Sequence, residues 1–89
     1  MSSVDAAAIE QRVTAIVVAL LGERLEARTV SATESLTGVG LSSLDMVNFL
    51  LQLEEVFDIT VQARAVNPTN FHSIRSVAAM VEQMLAKAA

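Results

Sequence analysis

Apolar residues recur at three- and four-residue spacing in three separate stretches of this chain, as they do along one face of an α-helix. The members of the first stretch are Ile9, Val13, Ile16, Val17 and Leu20. Gly22 follows this face and offers a stop, while Ser2 with Asp5 three residues later has the pattern of a capping box. The spacing therefore predicts a first helix over about residues 3–21.

The same spacing predicts two further long helices and one short one. In the second helix, over about residues 43–57, the apolar arc contains Met46, Phe49, Leu50, Leu53 and Phe57. The last helix, over about residues 74–87 with Ser73 as its N-cap, has an apolar face containing Ile74, Val77, Ala78, Val81, Met84 and Leu85. Between them, Pro68 near the start of "NPTNF" and an inward Phe71 predict a short helix at 67–71.

Residues 22–42 lack this periodicity and would form a long connection for so small a domain. Within them, Ser31 with Glu34 suits one capped turn, and Leu36 and Val39 are expected to pin the loop to the core. The length also suits a connection from one end of a bundle to the other. We therefore predict an all-α fold in a single domain over residues 1–89, an antiparallel four-helix bundle (three helices long, one short) with a long first loop.

Composition narrows the function. Ten acidic residues against six basic ones give a net charge of −4, which argues against binding to nucleic acid or anionic membranes. With no cysteine and one histidine, the chain is expected to have no disulfide and no metal site. No apolar run is long enough to cross a membrane and no basic segment precedes one, so we expect no membrane span, no signal peptide and a cytoplasmic location.

The second helix carries a further apolar arc, well over about 100° from the first, made of Leu44, Val47 and Leu51. These residues are either ordinary exposed apolar side chains or a strip that docks a basic, partly apolar partner surface. On the second interpretation the candidate partner-binding residues are Leu44, Asp45, Val47, Asn48, Leu51 and Glu55.

Two serines open this helix, and their positions suggest different roles. Ser42 with Asp45 has the capping-box spacing, which leaves Ser43 free at the first helical position. The lone histidine, His72, lies in a late loop and no catalytic triad can be assembled, so we expect no catalytic residues. An exposed serine at a helix N-terminus instead suits a phosphate ester that another enzyme adds, because the helix end favours the anion.

The stretch "VGLSSLDMVNFLLQLEEVFDI", residues 39–59, closely resembles the attachment segment of acyl and peptidyl carrier proteins. The matching residues are Gly40, Ser43, Leu44, Asp45, Leu53, Glu54, Glu55, Phe57, Asp58 and Ile59. The resemblance implies that Ser43 receives 4′-phosphopantetheine from coenzyme A, transferred by a phosphopantetheinyl transferase. It also implies that the arm carries cargo as a thioester and that the second helix recognises partners.

The chain departs from the family pattern in ways that favour one branch of it. Most members have Asp where this chain has Ser42, and Asn48 and Gln52 leave the helix less acidic than in fatty-acid carriers. The segment "DITVQARAVNPTNFHSIRSVAAMVEQML", residues 58–85, looks more like discrete carriers for amino acids.

We therefore predict a freestanding, non-catalytic carrier protein that holds an aminoacyl or small acyl group on Ser43-linked 4′-phosphopantetheine. Its expected partners are the phosphopantetheinyl transferase, an adenylating amino acid or acyl ligase, and a downstream acyl or aminoacyl transferase or synthase. One alternative is an acyl carrier protein of fatty-acid or polyketide synthesis. A second alternative, from a different class, is an unmodified interaction module with the carrier fold.

Overall fold

Three α-helices make up most of the computed structural model, which describes residues 5–22 and 30–88. They are α1 (Ala6–Leu21), α2 (Ser43–Phe57) and α3 (Ile74–Ala88), and a 3₁₀ turn at Ala63–Ala65 lies between α2 and α3. No strand occurs in the described ranges. The all-α prediction is confirmed, and the long helices lie where the apolar spacing indicates.

The start of α1 differs from its prediction. Asp5 has an extended backbone (φ −118°, ψ 112°), and its carboxylate accepts hydrogen bonds from the Ala7 and Ala8 amides at 3.0 and 3.4 Å. Asp5 is therefore the N-cap itself, and its predicted role as the third residue of a helix capped by Ser2 is wrong. Ser2 and residues 3–4 lie outside the described residues. The predicted stop at Gly22 is confirmed, since this glycine takes a positive φ of 54° after Leu21.

The short helix predicted at 67–71 forms as a single turn and not as a regular helix, with the Phe71 amide donating to the Asn67 carbonyl at 3.0 Å. The Asn67 side chain accepts from the Asn70 amide at 2.8 Å and donates to the Arg64 carbonyl at 3.1 Å. The contact with Asn70 has the geometry of an N-cap and supports this turn, and the regular 3₁₀ turn of this region lies at Ala63–Ala65. Phe71 nevertheless packs inward as predicted, edge-on to Phe49 with ring centroids 6.0 Å apart.

The core forms where α1 meets α2 and α3. The helices bury Ile9, Val13, Ile16, Val17, Leu21, Phe49, Leu53, Phe57, Ile74, Val77, Ala78, Met80 and Val81. The predicted core residues Leu20, Met46, Leu50, Met84 and Leu85 are only partly buried. Leu21 and Met80 are the buried residues that the predicted faces omitted, so the helical spacing located each face to within one position.

The connection before α2 is held to the core, as predicted. Leu36 is fully buried and Val39 packs partly against the core. The Leu36 amide donates to the His72 carbonyl at 2.8 Å, and the Arg75 amide donates to the Ala32 carbonyl at 2.8 Å. Because Arg75 lies in the first turn of α3, this segment satisfies one of the amides that a helix start leaves unpaired.

Side-chain interactions also hold the loop before α2 and the end of α2. The predicted local turn forms, since the Ser31 amide donates to the Glu34 carboxylate at 3.2 Å. At the end of α2, the Arg12 guanidinium of α1 donates to the Val56 carbonyl at 3.2 Å and lies 4.9 Å from the centroid of the Phe57 ring. A cation at the carboxyl end of a helix is favourable, so Arg12 ties α1 to the end of α2.

Candidate functional site

A tight turn at residues 36–41 delivers the chain to α2. The Leu41 amide donates to the Leu36 carbonyl and the Gly40 amide to the Thr37 carbonyl, at 3.3 and 3.2 Å. This pair of bonds is the Schellman motif, in which one residue must take a positive φ, and Gly40 takes it at 109°. Because Leu36 and Leu41 are both buried, the turn fixes where the next residue starts α2.

Ser42 is that residue, and its side chain is committed to the helix. Its hydroxyl accepts from the Asp45 amide at 3.1 Å, while the Asp45 carboxylate accepts from the Ser42 amide at 2.9 Å. The predicted capping box is therefore complete. The capping box engages the Ser42 hydroxyl in a hydrogen bond. It also engages one oxygen of the half-buried Asp45 carboxylate, which the sequence analysis lists as a candidate for partner binding.

Ser43 is the first residue of α2 and is exposed to solvent. Among the described residues, its hydroxyl forms no hydrogen bond. The amides of Ser43 and Leu44 belong to the first helical turn, where the backbone donors have no partner within the helix and the dipole is positive. An oxygen at this position can therefore carry an anionic phosphodiester that is accessible, uncrowded and electrostatically favoured.

The second apolar arc of α2 lies on the surface. Leu44, Val47 and Leu51 are 69%, 54% and 57% exposed, and we refer to these three residues as the α2 strip. Phe49 and Leu53, on the opposite arc, are fully buried. The helix thus has one face for the core and another that the described part of the fold does not use.

The flanking candidates are also accessible. Asn48 and Glu55 are exposed beside the α2 strip, which leaves Asp45 as the candidate whose charge is partly engaged elsewhere. The histidine, His72, is exposed in the turn before α3 and contributes its carbonyl to the preceding loop.

Glu54 has a structural role that its position in the sequence does not predict. Its carboxylate accepts from the Val61 amide at 2.9 Å and so holds the segment after α2 against the helix. Asp58, which follows α2, takes the left-handed conformation with φ 54° and ψ 51°. No spacing rule links a helical carboxylate to an amide seven residues later, so only the tertiary structure identifies this contact.

Metal and membrane features are not found in residues 5–22 and 30–88. No three His, Asp or Glu side chains there gather closely enough to hold a metal ion. The helices of these ranges are also too short or too polar to pass through a bilayer.

Comparison with known proteins links this arrangement to a family. Residues 11–82 match the family described as "Phosphopantetheine attachment site". The chain is similar to aminoacyl carrier protein 1 of Bradyrhizobium diazoefficiens, with 34% identity over 77 residues that cover 86% of each chain. It is also similar to aminoacyl carrier protein 2 of the same organism, with 29% identity over the same shares.

Two solved structures share the fold. One is the Bradyrhizobium japonicum glycine:[carrier protein] ligase complexed with glycylated carrier protein, matched at 29% identity with a TM-score of 0.73 over 82% of this chain and 97% of that chain. The other is the same ligase complexed with its cognate carrier protein and an analogue of glycyl adenylate, matched at 28% identity with a TM-score of 0.70 over 90% and 97%.

Proposed function

The chain belongs to the family of phosphopantetheine attachment domains, and on that premise we propose that it is a carrier protein for an amino acid or another small carboxylic acid. Its cofactor is covalently attached 4′-phosphopantetheine. When attached, this group supplies a thiol on a flexible arm, which the cysteine-free chain lacks, and the cargo is held there as a thioester. The attachment point is the Ser43 hydroxyl.

The observation that carries this assignment is the contrast between the two serines at the start of α2. Ser42 is bound on both sides by the capping box with Asp45, whereas the hydroxyl of the exposed Ser43 forms no hydrogen bond within the described residues. A transferase can therefore reach the Ser43 oxygen without breaking the cap that starts the helix.

We propose an amino acid, and not a fatty acyl group, as the cargo, because the similar proteins carry or are loaded with amino acids. Both similar proteins of B. diazoefficiens are aminoacyl carriers, and both similar structures hold a carrier protein with a glycine ligase. We infer that an adenylating amino acid ligase loads this chain. The neutral Asn48 and Gln52 support the same preference, since residues 46–53 of α2 carry no charge.

The α2 strip is the proposed docking surface for this ligase. Leu44 is adjacent to Ser43 in the chain, so an enzyme that covers the strip brings its own active site close to the arm. Burying an exposed Leu or Val contributes about 1.5–3 kcal/mol, so Leu44, Val47 and Leu51 together can supply much of a transient affinity. The phosphopantetheinyl transferase and a downstream transferase or synthase are proposed to use the same surface in turn.

The chain itself is proposed to be non-catalytic and to act in the cytoplasm. Loading, modification and transfer are then steps of other enzymes, and the contribution of this chain is to present a rigid Ser43 and a recognisable helix face.

The test is intact mass spectrometry after incubation with coenzyme A, Mg²⁺ and a phosphopantetheinyl transferase of broad specificity. The wild-type chain is expected to gain the mass of one phosphopantetheine, and the Ser43→Ala variant to gain none. Ser42→Ala is the matched control, because it removes the neighbouring hydroxyl. That variant is expected to lose about 0.5–2 kcal/mol of stability with the cap and still be modified.

Modification of a folded Ser43→Ala chain would overturn the attachment site. The modified wild-type chain is then offered to an amino acid ligase and to a fatty-acid ligase in parallel. Loading by the amino acid ligase alone is the expected result, and loading by the fatty-acid ligase alone would replace the aminoacyl assignment with the acyl-carrier alternative.

A further inference from the structure

A groove of about 600 Å³ lies beyond the end of α2, between residues 58–65 and the C-terminal half of α3. It is partly open to solvent and not an enclosed cavity. Buried or partly buried apolar side chains form its floor, and exposed cations stand at its rim. The floor includes Ile59, Ala65, Met80 and Met84, and the rim includes Arg64 and Lys87.

Arg64 and Lys87 differ from the other described cations in having no partner among the residues that the structure describes. Four of the residues described by the structure are Lys or Arg. Arg12 is engaged at the end of α2, and Arg75 faces Glu10 at 3.6 Å. Arg64 and Lys87 have no side-chain hydrogen bond or ion pair in the described structure. The chain has a net charge of −4, yet the two cations that are uncommitted within residues 5–22 and 30–88 line the same groove.

The shape and charge of the groove select its occupant. Sites for small molecules usually enclose 70–90% or more of the ligand surface, which an open groove does not do, whereas a peptide segment can continue past both ends. We propose that this groove binds a short acidic, partly apolar segment of a partner protein. Its carboxylates lie near Arg64 and Lys87, and an apolar side chain covers Met80 and Met84.

Asp58 adds one negative charge to the lining of the groove, which also contains the two cations. Asp58 lines the groove at the end of α2, and a carboxylate there suits the backbone N–H groups of an extended segment, which are donors. The acidic side chains of the segment are accordingly directed to the Arg64 and Lys87 side of the groove.

The groove is separate from the attachment end of the molecule. Asp58 and Ser43 lie at opposite ends of α2, which has 15 residues, so roughly 22 Å of helix separates them. A partner can therefore hold the groove while a second enzyme works at Ser43, and the inference does not depend on which cargo the chain carries.

The experiment is a ¹H–¹⁵N NMR titration of the full chain with the capped peptide acetyl-Glu-Leu-Glu-Leu-amide. Saturable shifts are expected in the amides of residues 58–65 and 80–87, with the modified and unmodified chains alike. The double variant Arg64→Gln, Lys87→Gln is expected to bind about three- to tenfold more weakly, because each exposed charge contact is worth only ~0–1 kcal/mol. Arg75→Gln is the matched control for charge outside the groove and is expected to bind as the wild type does.

Three comparisons keep the proposal open to refutation. A peptide with Lys in place of Glu is expected not to bind, and equal binding of the two peptides would overturn the role of charge. Free glutarate is expected to produce no shifts in the groove, and binding as tight as that of the peptide would mean a small-anion site instead of a docking groove. Shifts confined to the α2 strip, or an equal loss of affinity in Arg75→Gln, would place the contact elsewhere.

Discussion

At the scale of single residues, backbone position decides what each side chain can do. Ser42 and Ser43 are chemically identical neighbours. Ser42 precedes the helix with an extended backbone and accepts a hydrogen bond from the Asp45 amide, whereas Ser43 is the first residue of the helix and is exposed. The spacing of Ser42 and Asp45 was sufficient to predict this difference from the sequence, because capping depends on local geometry alone.

Asp58 shows a residue whose role sequence spacing does not settle. It matches the family pattern in the sequence, and the structure places it at the end of α2 in the left-handed conformation. A side chain other than glycine is disfavoured in that conformation, although Asp tolerates it better than most. Its negative charge also lies at the negative end of the helix dipole.

Replacing Asp58 with glycine is therefore expected to stabilise the domain. Asp58→Gly should raise the free energy of unfolding by about 0.5–1 kcal/mol, measured by thermal denaturation as a rise in Tm of roughly 2–8 °C. Asp58→Asn is the matched control, since it removes the charge and keeps a side chain of the same shape. A fall in Tm for the glycine variant would show that the Asp58 side chain contributes more to the fold than its conformation costs.

At the scale of elements, α2 is the helix with two different faces. The buried arc was predictable because core packing imposes a helical period on the sequence, and Phe49, Leu53 and Phe57 are indeed buried. The short helix at 67–71 was not predictable in the same way. Residues 67–71 form a single turn, in which the Phe71 amide donates to the Asn67 carbonyl, and not a regular helix. A proline near the start of a short segment does not indicate how many turns follow it.

Two leucines on the two faces of α2 provide a matched test. Leu53→Ala is expected to lower the free energy of unfolding by about 2–5 kcal/mol, because it empties a buried site. Leu51→Ala removes the same atoms from the surface and is expected to change it by less than about 1 kcal/mol. Urea denaturation followed by circular dichroism measures both. Similar losses in the two variants would mean that the α2 strip belongs to the core.

At the scale of the whole molecule, the net charge of −4 is not concentrated on the proposed docking face. Asn48 and Gln52 interrupt the acidic residues along α2, and Asp45 is partly engaged in its cap. Exposed ion pairs contribute only ~0–1 kcal/mol each and are screened by salt. Recognition by the ligase is thus expected to depend more on apolar contact than on charge.

This expectation can be measured as loading rates with the cognate ligase across a salt series. Leu51→Asp is expected to slow loading more than Glu55→Lys does, and moderate salt to slow it only a few-fold. Val18→Asp is the matched control, because Val18 is an exposed apolar residue on α1 and not on α2. The Val18→Asp variant is expected to be loaded at the wild-type rate. A steep dependence on salt together with normal loading of Leu51→Asp would indicate a recognition surface away from the α2 strip.

The hydrogen bonds that join the loop before α2 to the region around the start of α3 also limit the length of that loop. A surface connection usually tolerates insertions because its ends are close and its middle is unattached. Here Ala32 is bonded to Arg75 in the first turn of α3, and Leu36 is bonded to His72 in the turn before it. The number of residues between Ala32 and Leu36 is therefore set by the distance between two fixed points. An insertion there would release one of the bonds and leave either the Arg75 amide or the Leu36 amide without its acceptor. The segment that leads to Ser43 therefore has the length tolerance of a core element, although it contains no regular helix.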